Sequence, residues 1–158
     1  MTRTFDIREL LRVAVRDERG GQEMYRSLSE KATDAELAET FRWLAEQEKG
    51  HERRFQAMLD DLGPAPGTSQ YPDEYADYLE SVAQEGGGAN LGARAEQTGS
   101  DADAVDLAIR FEREQLALQK DIADVLGDRH REIIDAVLNE ERRHLVRLAG
   151  AREKLTTG

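Results

Sequence analysis

Hydrophobic residues recur at steps of three and four positions along four long segments of the chain. In the first segment Ile7, Leu11 and Ala14 begin an apolar stripe that continues to Leu28, and Leu37 begins the stripe of the second. Such spacing places apolar side chains on one face of an α-helix. Neither strand alternation nor a hairpin signal is evident, so we expect no sheet. The pattern predicts helices at about residues 5–31, 34–62, 101–127 and 129–154.

Capping signals mark several ends of these helices. Thr33 with Glu36 three residues later forms a capping box, which predicts the start of the second helix. Gly63 and Pro64 predict its end, and Gly127 predicts the end of the third.

The segment from residue 63 to 100 differs from the rest of the chain. All three prolines lie in its first part, and Tyr71 to Val82 fit one short amphipathic helix. Its tyrosines are expected to cover the core or to form a dimer contact. Gly86–Gly88 predicts a flexible hinge that leads into a polar loop. We therefore expect residues 63–100 to form a long crossover connection.

One helix pair occurs twice in the sequence. Residues 14–18 (AVRDE) match residues 108–112 (AIRFE), and residues 48–51 (EKGH) match residues 141–144 (ERRH). Each pair is expected to form an antiparallel hairpin, so the chain, residues 1–158, is predicted to be a single all-α four-helix domain. The crossover permits either up-down-down-up or up-down-up-down order.

A glutamate interrupts the apolar stripe of each predicted helix near its middle, and a histidine follows it in the second and fourth helices. An ionised carboxylate without a partner is costly in a core, and four of them repel one another. Two divalent cations would balance four carboxylates, and neutral imidazoles would supply nitrogen ligands. Oxygen and nitrogen ligands without sulfur suit iron or manganese, and zinc can substitute. We predict a dinuclear metal site formed by Glu18, Glu48, His51, Glu112, Glu141 and His144.

The same residues have a simpler interpretation as a buried polar network, since a lone Glu-x-x-His motif is common. Tyr25, seven residues after Glu18, could bond a metal ligand, transfer an electron or simply pack in the core. We interpret His130 as a solvated or capping residue, and Trp43 as a packing residue. Six glutamates fall off the stripes and are expected on a solvated face: Glu23, Glu30, Glu46, Glu52, Glu114 and Glu140.

Composition narrows the classes of function. With 33 acidic and 22 basic residues the formal net charge is −11, which disfavours nucleic acid or an anionic membrane as the main partner. The absence of cysteine excludes disulfides, thiolate metal sites, iron–sulfur clusters and cysteine nucleophiles from this sequence. No apolar run approaches the length of a membrane span, and a cytoplasmic location is expected.

These residues give the chain a resemblance to the ferritin-like di-iron carboxylate proteins, most closely to the rubrerythrin branch. The resemblance covers Leu10–Leu62 and Ala104–Leu148, and Leu44–His51 is its most specific part. It implies a ferritin-like four-helix bundle that binds two iron ions, Fe²⁺ or Fe³⁺. It further implies terminal ligands at Glu18 and Glu112, bridging ligands at Glu48 and Glu141, and one nitrogen ligand per iron from His51 and His144.

The sequence departs from the rubrerythrin pattern in two respects. Full-length rubrerythrins end in a four-cysteine rubredoxin domain, and this chain has no cysteine, so we expect an external reductant, either rubredoxin-like or a flavoprotein. Gln115 stands where rubrerythrins have an extra carboxylate, so a redox-linked shift of one iron is not expected. Gln119 stands where the repeat would place a counterpart of Tyr25.

Three functions are compatible with this sequence. The first is a redox protein, either a peroxide reductase or a ferroxidase, in which Fe(II) reacts with hydrogen peroxide or dioxygen. The second is iron storage or delivery based on the same ferroxidase chemistry. The third is a non-enzymatic acidic helical module in which polar core residues only fix helix pairing. The resemblance also implies a homodimer.

Overall fold

The computed structural model describes residues 1–63, 68–85 and 90–157. Pro64 and the predicted hinge at Gly86–Gly88 lie outside these residues. The described chain contains the following elements: β1 Thr2–Asp6, α1 Ile7–Lys31, α2 Ala35–Leu62, β2 Thr68–Pro72, α3 Asp73–Glu85, α4 Leu91–Glu96, α5 Asp101–Leu126 and α6 Arg131–Thr157.

The four long helices confirm the predicted all-α architecture. They begin and end within a few residues of the expected positions, and Gly63 and Gly127 cap α2 and α5 with positive φ angles. Within the described residues, none of the helices combines the length and apolar character needed to cross a bilayer.

The predicted capping box at the start of α2 is wrong. The N-cap is Asp34, whose carboxylate accepts a hydrogen bond from the Leu37 amide at 2.9 Å. Thr33 instead bonds Asp101 at the start of α5, and its Oγ1–H donates to Oδ2 of Asp101 at 2.8 Å. The sequence could not reveal this exchange, because Asp101 is distant in the chain and competes for the Thr33 hydroxyl.

Helices α1 and α5 run antiparallel. The C-terminal end of α1 meets the start of α5 through Thr33 and Asp101, and the middle of α1 meets a later part of α5 where Gln119 Nε2 donates to Glu18 at 3.0 Å. Residue numbers therefore rise along one helix as they fall along the other.

Helices α2 and α6 also run antiparallel. Lys154 Nζ lies 3.2 Å from the Glu36 carboxylate near the start of α2, and His130 Nε2 lies 3.0 Å from Asp61 near its end. With antiparallel α1–α2 and α5–α6 pairs, the order is up-down-down-up. The crossover accordingly spans the full height of the bundle.

A small antiparallel sheet overturns the expectation of no strands. β1 pairs with β2 in a register that runs from Thr2 opposite Pro72 to Asp6 opposite Thr68, and Phe5 is buried. β1 continues directly into α1, and only its last two residues fall within the helix predicted from about residue 5. With one buried aromatic, β1 lacks the alternation that would identify a strand. The pairing partner lies across the whole α1–α2 hairpin.

The crossover contains a second short helix where the sequence predicted only a polar loop. Leu91 and Ala95, one turn apart on α4, are buried, and Lys31 Nζ donates to the carbonyls of Glu96 and Thr98 at 2.5 and 2.7 Å. A helix of this length buries too few apolar residues to produce a clear periodic signal.

Two apolar clusters fill the bundle, one on each side of a polar layer. The first cluster joins β1, the first half of α1 and the end of α2 to the end of α5 and the start of α6, and includes Phe5 and Phe55. Tyr71 and Tyr75 pack against it, as expected of core cover. The second cluster contains Phe41 and Phe111.

Close contact between α1 and α5 depends on a glycine. A Cβ atom added to Gly21 would lie 2.5 Å from Cζ of Phe111, whose ring is buried and packs edge-on against Tyr25. Only a residue without a side chain fits there unless the aromatic ring moves.

We expect Gly21→Ala to destabilise the protein by about 1–3 kcal/mol, because the overpacking of Phe111 outweighs the gain in helix propensity. The measurement is denaturant unfolding. Gly150→Ala is the matched control: it lies on α6 with nothing within 4 Å, so it should stabilise by about 0.5–1 kcal/mol. Equal effects of the two substitutions would contradict this packing.

Candidate metal centre

The polar layer brings together the six residues that the sequence singled out. Each long helix contributes one carboxylate, and α2 and α6 each add a histidine one turn later. All six side chains are at most 1% exposed: Glu18, Glu48, His51, Glu112, Glu141 and His144. The apolar periodicity of each helix aims these side chains inward, because each occupies the next position of the buried stripe.

His51 directs its Nδ1 atom at three carboxylates. This nitrogen lies 2.6 Å from Glu141 Oε1, 3.8 Å from Glu18 Oε2 and 3.9 Å from Glu48 Oε2. The ring nitrogen that faces the layer is therefore Nδ1, and Nε2 faces outward.

His144 has the same orientation in the other half. Its Nδ1 lies 3.5 Å from Glu112 Oε1, 3.7 Å from Glu48 Oε1 and 3.7 Å from Glu141 Oε2. The two imidazole rings stack with their centroids 5.6 Å apart.

The side chains form two overlapping groups of four. One contains Glu18 and His51, the other contains Glu112 and His144, and both contain Glu48 and Glu141. Within each group, one potential ligand atom per residue lies within 4.8 Å of the others. This geometry supports two neighbouring metal positions with Glu48 and Glu141 shared between them.

The layer leaves many buried polar atoms without hydrogen bonds among the described residues. These atoms include both carboxylate oxygens of Glu48 and one oxygen each of Glu18, Glu112 and Glu141, and the Nδ1 atoms of both histidines. Buried polar atoms are normally satisfied, and each exception needs an explanation. Metal ions would satisfy these carboxylate oxygens and Nδ1 atoms, since both are suitable ligands, so the residues present fit a dinuclear centre.

Burial raises the pKa values of three of the four carboxyl groups in the layer. Desolvation raises the pKa of Glu18 and Glu112 to about 8, and it raises the pKa of Glu48 with the help of repulsion from Glu18 and Glu141. Glu141 is the exception. Burial opposes its ionisation, yet the close approach of Glu112 and of both histidines lowers its pKa below the ordinary range.

The pKa values of both histidines are raised, whereas burial alone would lower them. Desolvation acts to lower the pKa of His51, but the Glu141 oxygen 2.6 Å from its Nδ1 and the charge of Glu18 raise that pKa to about 9. Desolvation is likewise outweighed at His144, where Glu112 and Glu141 raise the pKa to about 10. Without metal, protons therefore supply the positive charge that the carboxylates require.

Two hydrogen bonds cross between α1 and α5 at corresponding places in the repeat. The Tyr25 hydroxyl donates to Glu112 at 2.7 Å, and Gln119 Nε2 donates to Glu18 at 3.0 Å. Tyr25 is buried, and desolvation and the charge of Glu112 raise its pKa well above the ordinary value. Tyr25 thus contacts a predicted metal ligand, while a redox role stays a prediction.

A buried acid that the sequence did not single out lies beside this layer. Asp17 is 1% exposed, and its carboxylate accepts a long hydrogen bond of 3.4 Å from the buried amide of Gln115. Asp17 directly precedes Glu18, so helical geometry turns it by about 100° from the stripe, toward α5. Periodicity on α1 alone gave no signal for it, because the burial arises from the packing of α5.

The expectation that six off-stripe glutamates are solvated is wrong for two of them. Glu140 is half-buried, and its Oε2 accepts hydrogen bonds from His51 Nε2 at 2.7 Å and from Arg54 at 2.9 Å. Glu52 is also half-buried and accepts from Gln22 and Arg19 at 3.3 and 3.1 Å. Each has its partners on another helix, which a one-helix pattern cannot reveal. The other four are exposed: Glu23, Glu30, Glu46 and Glu114.

Two further residues differ in detail from expectation. Trp43 is partly exposed, and its ring packs edge-on against His144 with centroids 5.4 Å apart. His130 precedes α6 with a positive φ of 57°, and its carbonyl accepts from the Ile134 amide. It therefore lies at the helix start as predicted, but its side chain is mostly buried against Asp61 rather than solvated.

The raised pKa values predict an unusual pH dependence of the metal-free protein. The folded state retains protons on Glu18, Glu112 and the two histidines that the unfolded state, with ordinary pKa values of 4.5 and 6.5, has already released. This stabilisation is complete below pH 4.5 and is lost as pH rises through 8 to 10. We expect the melting temperature of chelator-treated protein to fall between about pH 5 and 9.

Glu48→Gln should flatten this slope, because it removes one buried carboxylate and its repulsion. Glu46→Gln removes an exposed carboxylate from the same helix and should leave the slope intact. Excess Mn²⁺ should counteract the fall, since metal binding displaces the same protons. A melting temperature that is constant or rises over this pH interval would contradict the interpretation.

Comparisons with known proteins agree with this geometry. The family model for rubrerythrin matches residues 9–151. A crystal structure of a protein from Thermotoga maritima, described as ferritin-like and diiron-carboxylate, superposes with a TM-score of 0.69 at 21% identity, covering 94% of this chain and 95% of that one. No curated protein matches the chain in sequence. The fold is ferritin-like, and the chain belongs to the rubrerythrin family.

Proposed function

We propose that this protein is a non-haem di-iron redox protein that oxidises Fe(II) with hydrogen peroxide or dioxygen and is reduced again by an external donor. The observation that carries the proposal is the pair of overlapping ligand groups, which share Glu48 and Glu141 at the middle of the bundle. Each group offers three carboxylates and one imidazole, a donor set without sulfur that suits iron.

The charge of the layer supports two divalent ions. Four carboxylates carry four negative charges when ionised, and two ions with neutral imidazoles cancel them. A structural polar network would need its own hydrogen-bond partners, but Glu48 has none for either oxygen among the described residues. The layer is therefore better suited to binding cations than to pairing helices.

Bound iron would supply one electron per ion, so that a pair reduces one molecule of hydrogen peroxide to two of water with the uptake of two protons. Glu18 and His51 would hold one ion, and Glu112 and His144 would hold the other. The surrounding apolar clusters exclude bulk water from the layer.

Tyr25 and Gln119 orient the two terminal carboxylates. Each donates one hydrogen bond across the α1–α5 interface, to Glu112 and to Glu18, and so fixes which oxygen remains available to a metal. Tyr25 also holds a proton one hydrogen bond away from the site. We include in the proposal that this phenol assists proton or electron transfer to the layer.

An external reductant is part of the proposal, because these 158 residues contain no cysteine for a rubredoxin-type centre. A rubredoxin-like protein or a flavoprotein would have suitable chemistry. Manganese or zinc would be bound by the same oxygen and nitrogen atoms, but zinc has no accessible redox change.

The test is anaerobic loading of metal-free protein with Fe(II), followed by one equivalent of hydrogen peroxide per two irons. We expect about two irons per chain and a loss of Fe(II) that is about tenfold or more faster than in a variant with Glu48→Ala and Glu141→Ala. Metal analysis and a colorimetric Fe(II) assay give the two quantities.

Glu46→Ala with Glu132→Ala is the matched control, since both residues are exposed on the same two helices. This control should bind and oxidise iron like the wild type. Two bound irons that stay ferrous with hydrogen peroxide and, in a parallel sample, with dioxygen would contradict redox function while leaving a metal site. Failure to retain iron would contradict the centre itself.

A further inference from the structure

The outer ring nitrogens, Nε2, of His51 and His144 have different surroundings. His51 Nε2 lies 2.7 Å from Oε2 of Glu140, and Arg54 lies 2.9 Å from the same oxygen. A carboxylate paired with arginine only accepts hydrogen bonds, so His51 carries its hydrogen on Nε2. Nδ1, the nitrogen that faces the layer, is thereby available to a metal ion.

The other half of the repeat lacks this carboxylate. At the interval of 93 residues that relates Glu48 to Glu141, Glu140 corresponds to Gln47, and Arg54 corresponds to Arg147. The two arginines follow their histidines by three residues in both halves, so the helices present them at equivalent places. Their partners are different.

Arg147 contacts an aromatic ring instead of an acid. Its guanidinium carbon lies 4.3 Å from the centroid of the Trp43 ring, and that ring packs edge-on against His144. His144 Nε2 is buried and has no hydrogen-bond partner within the described part of the chain. On the outer side of His144, packing against Trp43 therefore takes the place of a hydrogen bond.

A hydrogen bond from the outer ring nitrogen to a carboxylate fixes the tautomer and orientation of a metal-ligating histidine and raises its basicity. The half with Glu140 has this arrangement, and the half with Trp43 does not. The inner ligands are otherwise equivalent, since each position has one terminal glutamate, one histidine and the two shared glutamates.

We infer that Glu140, oriented by Arg54, is a positioning residue that makes the metal position at His51 fill before, and bind more tightly than, the position at His144. This inference rests on the metal centre of the proposed function but not on iron oxidation. It can therefore be tested with Zn²⁺, which undergoes no redox change.

The test uses protein labelled with ¹⁵N at histidine, titrated with Zn²⁺ and followed by the ring-nitrogen chemical shifts, which report tautomer and metal ligation. The chain has three histidines, and His130 beside Asp61 lies at the far end of α2 and serves as an internal reference. We expect the first equivalent of Zn²⁺ to shift the His51 signals and the second to shift those of His144. Simultaneous changes, or His144 first, would overturn the inference without any variant.

Glu140→Gln should weaken Zn²⁺ binding at His51 by about tenfold to a hundredfold and abolish the order of filling. Glu46→Gln makes the same charge change at an exposed site of α2 and should preserve the order. A double variant of Glu140→Gln with Gln47→Glu restores the wild-type net charge but not the carboxylate at His51, so His51 should still not fill first.

An equal effect of Glu46→Gln, or recovery of His51 filling in the double variant, would show that overall charge governs affinity and would overturn the role of Glu140. The outcomes also separate the two proposals. Zn²⁺ binding at neither histidine contradicts the metal centre itself, whereas equal binding at both contradicts only the inference about Glu140.

Discussion

Four carboxylates buried at one level of the bundle are the constraint on which the rest of this structure depends. An apolar core cannot hold them ionised and unpartnered, so positive charge must enter, either as protons or as metal ions. Each of the four long helices contributes one carboxylate, and a helix displaced along its axis would leave its glutamate against the apolar clusters of Phe55 or Phe111. The requirement that the four carboxylates meet at one level therefore limits how far each helix can slide along its axis.

Protons and metal ions compete for the same atoms, which couples metal binding to the stability of the fold. The raised pKa of Glu18, Glu112 and both histidines means that the metal-free layer stores protons near neutral pH. A metal ion gains the full set of carboxylate and imidazole ligands only after it displaces those protons. Glu141, whose pKa is lowered and whose carboxylate lies close to both histidines, stays ionised when the other three carboxyl groups of the layer are protonated.

The sequence predicts those parts of the structure that repeat within one helix. Glu48 and His51 keep the three-residue step of a buried stripe, and their copies recur 93 residues later, so four helices and six inward side chains could be predicted. Features that need a partner elsewhere could not. Glu140 faces away from its own stripe but toward α2, Thr33 bonds the start of α5, and β1 finds its partner only after the α1–α2 hairpin.

The repeat and its departures have separate physical consequences. Equivalent inner residues on the two helix pairs produce a layer with approximate twofold symmetry, in which Glu48 and Glu141 belong to both ligand groups. The surroundings break that symmetry: a phenol bonds Glu112 where an amide bonds Glu18, and the acid at His51 is replaced by an indole at His144. Because outer partners control the orientation and basicity of ligands, two positions with the same ligand types need not behave alike. A duplicated helix pair can in this way build a symmetric site from one motif and still supply two chemically different metal positions.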